Sequence, residues 1–210
     1  TTQWLANRGY AVLNVNFRGS TGFGKQFTNA GDGEWAGTMH DDLIDAVDWA
    51  VKQGVTSKDQ VAIMGGSYGG YATMVGVTQF PDTFAAAVNL FGMVNFETFF
   101  AQSEPWMAAI STNEYGDPKT QAQLLRDLSP IHKLDRVETP LLVMHGANDT
   151  NVPVVEAEQI VEVLGKRGVE VEYLLFPDEG HGWRKEANRV RSTLVMTRFL
   201  REHLLDSAED

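Results

Sequence analysis

The order of apolar and polar positions divides the chain into short apolar runs separated by amphipathic stretches. Residues 2–8 read as the tail of a helix stopped at Gly9, and Tyr10 to Phe17 as a largely apolar strand. A Gly-rich loop, Arg18 to Gly24, follows. Between Met39 and Val51, the residues Leu43, Ile44, Ala46, Val47, Ala50 and Val51 recur at helical spacing, while Asp41, Asp42, Asp45 and Asp48 take the other faces. This predicts an amphipathic helix whose acidic first turn suits the positive end of the helix dipole. Val61 to Met64 is a short apolar strand running into Gly65-Gly66-Ser67-Tyr68-Gly69-Gly70, and Tyr71 to Thr78 reads as helix. Further strands are expected at Ala85 to Phe91, Pro140 to Met144 and Val169 to Phe176, and further helices at about 153–166 and 185–205. Strands alternating with helices predict an α/β fold with a mostly parallel sheet of about five or more strands, covered by helices on both faces. Residues 94–130 carry Phe96, Phe99, Phe100, Trp106, Met107 and Tyr115 in a broken helical pattern. A cap-like insertion over the carboxyl ends of the strands, where α/β folds bind ligands, is the expected placement.

Composition narrows the class. The 210 residues, 43% of them hydrophobic, are enough for one sizeable core and predict one globular domain, 1–210. No apolar run approaches the ~20 residues of a membrane span, so no membrane partner is expected. Seventeen basic against 28 acidic residues, with no Lys/Arg cluster, argue against nucleic acid as a partner. The absence of cysteine removes disulfides, thiolate metal sites and a Cys nucleophile, and fits a reducing, cytoplasmic location. Thr1-Thr2-Gln3-Trp4 has no initiator Met and no signal segment, as if the chain opened in mid-fold.

The chemistry sits in three places. Gly65-x-Ser67-x-Gly69 between a strand and a helix is the context of a nucleophile elbow, with the Tyr68 backbone N–H placed to stabilise an oxyanion. A Gly-rich strand-to-helix turn with an incidental serine has the same pattern. Serine needs a base and an orienting carboxylate, in the chain order Ser, Asp/Glu, His. Asp149 follows the strand ending at Met144, and His181 follows the strand ending at Phe176, both on loops at the same sheet edge. Asp178 and Glu179 are rivals for the orienting role, and His145, Asp149 and His181 could instead make a metal site of two histidines and one carboxylate. That second arrangement leaves the elbow unexplained, so no metal is expected. His40 and His203 fall on helices and His132 in a connector, where surface or capping roles suffice.

Four stretches together resemble a known family: Asn16 to Gly24, Gly65 to Gly70, His145 to Pro153 and Phe176 to Gly182. They look like the C-terminal α/β-hydrolase domain of the prolyl oligopeptidase family, in its acylaminoacyl-peptidase and dipeptidyl-peptidase-like branch. The resemblance implies a Ser67–Asp149–His181 triad acting through an acyl-enzyme on peptide, acyl-amino-acid or small ester substrates. It also implies that Asn151 faces a substrate carbonyl and that Tyr68, Trp106, Tyr115 and Val152 line the pocket for the residue before the cut bond. Arg18 and Trp35 look structural. Gly19 to Gly24 reads G-x-x-G-x-G, the wrong spacing for a dinucleotide loop, so no cofactor is expected.

The resemblance further implies an N-terminal β-propeller, and a strand with a His-Gly-Gly-Pro-like loop supplying a second oxyanion donor. Neither lies within these residues. Three outcomes are open: the strand at 11–17 pairs directly with 61–64, another chain supplies the strand, or the chain is cut from a longer protein. The expectation is a truncated domain with a compressed sheet, or one completed by self-association as a homo-oligomer. A short-chain carboxylesterase, and a catalytically weak or purely binding fragment, are the alternative functions.

Overall fold

The computed structural model describes residues 1–206, which divide into two compact units, Thr1–Val61 and the remainder from Ala62. In the first unit, α1 (Thr2–Ala6) and α2 (Lys25–Asn29) are short, and α3 (Thr38–Lys52) is the predicted amphipathic helix, with Asp41 in its first turn and Lys52 in its last. Arg18 ties the Gly-rich loop to α3. Its Nε and a terminal nitrogen donate to the two carboxylate oxygens of Asp42 at 2.8 and 2.6 Å, and its backbone N–H adds a third bond at 2.9 Å. The guanidinium hydrogen bonds hold the Asp42 carboxyl below its usual range.

The strand expected at Tyr10 to Phe17 does not form. No strand is assigned there, and Leu13 is 51% exposed. Hydrophobicity reports what a segment would bury, but a strand also needs a hydrogen-bonding neighbour, and no ladder among the described residues includes these positions.

The second unit is built on β1 (Ala62–Gly66), β2 (Ala86–Leu90), β3 (Leu141–Gly146) and β4 (Val171–Phe176). These form a four-stranded sheet in the order β1-β2-β3-β4, parallel throughout, with Met64 beside Val88, Val88 beside Leu142 and Met144 beside Leu174. Four strands replace the five or more expected, because the segment at 11–17 is not among them. The two inner strands carry the core: Ala86, Ala87, Val88, Leu141 and Leu142 are fully buried, as continuous apolar runs in a parallel sheet should be. Three helices pack on it: α4 (Tyr68–Gln79) against β1 and β2, α8 (Val155–Lys166) against β3 and β4, and α9 (Glu186–Leu204) against β2 and β3.

Between β2 and β3 the 94–130 segment folds as α5 (Phe96–Gln102), α6 (Pro105–Tyr115) and α7 (Ala122–Leu128), then a 3-10 turn at Pro130–Arg136. Aromatic rings bind this segment to α4. Phe96 lies 5.5 Å from Tyr71 and 5.1 Å from Tyr115, and the Tyr71 hydroxyl donates to the Leu128 carbonyl at 2.9 Å. A fully buried carboxylate binds it to α8. Glu156 accepts the backbone N–H groups of Val94 and Asn95 at 2.8 and 2.7 Å and the Thr98 hydroxyl at 2.5 Å. No helix among the described residues is long and apolar enough to cross a membrane.

Candidate active site

Ser67 stands at the turn from β1 into α4 with φ 56° and ψ −117°, a conformation that costs a non-glycine residue backbone strain. Its surroundings hold it there. The Ser67 N–H donates to the Leu90 carbonyl at 2.9 Å, and its own carbonyl accepts the Tyr71 N–H at 3.1 Å. A Cβ at Gly65 would overlap the Gly69 backbone, so only glycine lets strand and helix close to this distance. The Tyr68 N–H opens α4 beside the serine, at the end of the helix where a developing negative charge is favoured.

Asp149 lies three residues beyond β3 with its carboxylate fully shielded from solvent. Both oxygens are engaged. Oδ1 accepts the N–H groups of Asn151 and Val152 at 2.8 and 2.9 Å, which fixes the rotamer, and Oδ2 accepts His181 Nδ1–H at 2.7 Å. His181 follows β4 at the tip of a tight bend bridged between Gly180 and Gly182, and its side chain keeps 22% exposure. The two loops can meet because Gly146 has no Cβ, which would overlap the Gly180 carbonyl, and Asn148 N–H donates to the Glu179 carbonyl at 2.9 Å.

The rivals have other tasks. Glu179 accepts the N–H groups of Arg184 and Lys185 and the Asn188 amide, and Asp178 pairs with Lys185 and Asn188, so both secure the approach to α9. His145 is buried, with Nε2 2.9 Å from the Val152 carbonyl and 3.5 Å from Asp149 Oδ2. Burial holds its imidazole below the ordinary range, and since a carbonyl oxygen only accepts, Nε2–H donates to Val152. No group of three or more His, Cys, Asp or Glu among the described residues is placed to hold a metal. His203 is 3.4 Å from Glu170, and His40 and His132 sit on α3 and the 3-10 turn.

A cavity of about 270 Å³ opens beside the serine. Ser67, Tyr115, Asn151 and Val152 line it, which brings four of the sequence-predicted positions to one space. Trp106 does not line it and is 51% exposed; the Tyr68 side chain is also outside the lining, its ring 5.8 Å from that of Tyr71. Met93, Phe99, Met107, Ile110 and Glu114 complete the wall and were not singled out as pocket residues by sequence. The signal for three of them was helical spacing: Met107, Ile110 and Glu114 fall on one face of α6, and Trp106, four residues before Ile110, stands at the edge of that face without lining the cavity. Phe91 was also missed. Its ring centroid is 4.7 Å from that of His181.

Comparison with known proteins gives a consistent picture. The model of the prolyl oligopeptidase family matches residues 1–207. Dipeptidyl aminopeptidase BIII of Pseudoxanthomonas mexicana is 54% identical over 99% of this chain and 31% of the relative. Among solved structures, a puromycin-hydrolyzing peptidase of Mycobacterium tuberculosis superposes with a TM-score of 0.92 at 29% identity, over 97% of this chain and 31% of that one. The uncomplexed acylaminoacyl peptidase of Pyrococcus horikoshii superposes at 0.90 with 26% identity, over 96% and 34%. The α/β fold with its four-stranded parallel sheet thus matches the α/β-hydrolase catalytic domain of these peptidases. The chain spans about a third of the length of the relative and structures compared.

Proposed function

Since this chain belongs to the prolyl oligopeptidase family, we propose that it is the catalytic unit of a serine peptidase that cleaves peptide or acyl-amino-acid bonds through an acyl-enzyme. Ser67 is the nucleophile, His181 the general base and then acid, and Asp149 the group that orients the imidazole. The observation that carries this reading is the 2.7 Å bond from His181 Nδ1–H to a shielded Asp149 carboxylate. That bond leaves Nε2 as the unprotonated nitrogen, the form a base requires.

In this mechanism His181 Nε2 takes the proton as Ser67 Oγ attacks the substrate carbonyl carbon. Asp149 stabilises the imidazolium, and the Tyr68 N–H donates to the oxyanion of the tetrahedral intermediate. Collapse breaks the carbon–nitrogen bond, and His181 returns the proton to the departing amine. Water then attacks the acyl-enzyme carbonyl with His181 as base again, the carbon–Oγ bond breaks, and His181 returns the proton to Ser67 Oγ as the acid leaves. The cavity walled by Met93, Met107, Ile110, Tyr115 and Val152 takes the side chain before the cut bond, and Asn151 at its rim reaches a substrate carbonyl. Small esters are substrates by the same route, since an alkoxide leaves more readily than an amine.

The test is a fluorophosphonate probe on the natural full-length protein. Stoichiometric labelling that disappears in Ser67→Ala is expected, together with turnover of acyl-aminoacyl or aminoacyl anilides beside p-nitrophenyl esters. A folded sample that takes no label would overturn the hydrolase reading, and turnover of esters alone would reassign it to an esterase.

A further inference from the structure

Phe91 is the first residue past β2 and has φ 43°, a left-handed conformation that is a genuine outlier for a bulky side chain. Three contacts impose it. The Phe91 N–H still donates to the Met144 carbonyl at 2.8 Å, as if the strand continued. One residue later the chain has turned, because the side chain of the buried Asn89 accepts the Gly92 N–H at 2.9 Å. Gly92 is in turn pressed so close to α4 that a Cβ there would stand 2.5 Å from the Gly70 carbonyl carbon. Strain maintained by so many neighbours marks a position where the resulting side-chain direction matters.

The direction it sets is toward the site. The Phe91 ring lies over Gly66, where an added Cβ would meet it at 3.0 Å, immediately before Ser67. Its centroid is 4.7 Å from the His181 ring at an interplanar angle of 58°, and 5.4 Å from Trp183, which packs edge-on behind it. Phe176, the last residue of β4, backs Trp183 at 4.3 Å. One aromatic wall therefore touches both the serine turn and the imidazole.

We propose that Phe91 is a positioning residue for His181, holding the imidazole between the Asp149 carboxylate and Ser67, and that its backbone strain is retained for this purpose. The proposal rests on the Ser67–Asp149–His181 reading above. The ring is held at Cγ by its own side chain and at Nδ1 by Asp149, which leaves a tilt about the line joining those two atoms; the Phe91 ring packed against the imidazole restricts that tilt.

The experiment compares Phe91→Leu, which keeps an apolar side chain of similar bulk, with Phe91→Tyr, which keeps the ring, in the natural full-length protein. Each is titrated with fluorophosphonate, so that rates are expressed per labelled site. Phe91→Leu is expected to lower kcat about 10- to 100-fold with KM within about twofold, and Phe91→Tyr to retain kcat within about threefold. Equal per-site kcat in wild type and Phe91→Leu, or equal losses in both variants, overturns the proposal and leaves Phe91 a packing residue. If Phe91→Leu does not fold, the wild type decides: nuclear Overhauser contacts between the Phe91 and His181 ring protons are expected in the labelled and unlabelled protein, and their absence overturns the proposal. Failure of the wild type to take label removes the hydrolase reading and this proposal with it, whereas a labelled wild type with an indifferent Phe91→Leu removes this proposal alone.

Discussion

Asp149 has both oxygens engaged: two backbone N–H groups fix one and His181 takes the other. Asp149→Asn keeps the shape and reverses the polarity of one position, turning His181 to the wrong tautomer. A fall of about 10⁴-fold in kcat is expected from steady-state kinetics, with little change in thermal stability. Glu156 lends itself to a pH test. Burial pushes its carboxyl up, although the hydrogen bonds from Thr98, Val94 and Asn95 oppose the shift. The folded protein therefore binds this proton more tightly than the unfolded chain does. Its contribution to stability is fully present below the ordinary glutamate value of about 4.3 and declines as pH rises through the folded value. Glu156→Gln should accordingly gain in melting temperature relative to wild type between pH 4 and pH 8; a constant difference across that range would contradict the assignment. At this scale Ser67, Asp149 and His181 were legible because each occupies a short motif at a strand end. Phe91 was not, because the direction of its ring follows from a backbone torsion that the residues around it impose.

At the scale of elements, α6 supplies part of the cavity wall. Met107, Ile110 and Glu114 line the cavity and Trp106 does not, although Ile110 is 56% and Trp106 51% exposed. Met107→Ala should enlarge the cavity and move the preference of kcat/KM toward bulkier side chains before the cut bond. Trp106→Ala should leave the same substrate ranking unchanged. A panel of anilides differing at that one position measures both. The sequence located the 94–130 segment and its aromatic content, yet assigned Trp106 rather than Met107 to the pocket. Spacing fixes only the relative angles of the α6 side chains, about 100° per residue; which of them meets the cavity is set by how the helix packs on the rest of the fold.

For the whole molecule, the sheet is the point where local and tertiary information part. Leu142 in β3 is fully buried, and Leu142→Ala should cost about 2–5 kcal/mol in denaturant unfolding. Leu13 belongs to an equally apolar run but is half-exposed and outside the sheet, so Leu13→Ser should cost no more than about 0.5 kcal/mol. A loss at Leu13 comparable to that at Leu142 would mean that the 11–17 segment is a sheet strand after all. By itself the sequence determined the α/β class, four of the strands, the long helices and the strand ends that carry Ser67, Asp149 and His181, because periodicity and motif spacing are local properties of the chain. Tertiary structure alone decided that 11–17 forms no strand, that Met107 and not Trp106 faces the cavity, and that Phe91 meets His181. Each of these depends on a partner distant in sequence, whether a ladder neighbour, the surface a helix packs on or the close approach of Gly92 to Gly70 beside Phe91, and residue patterns do not record where such partners lie.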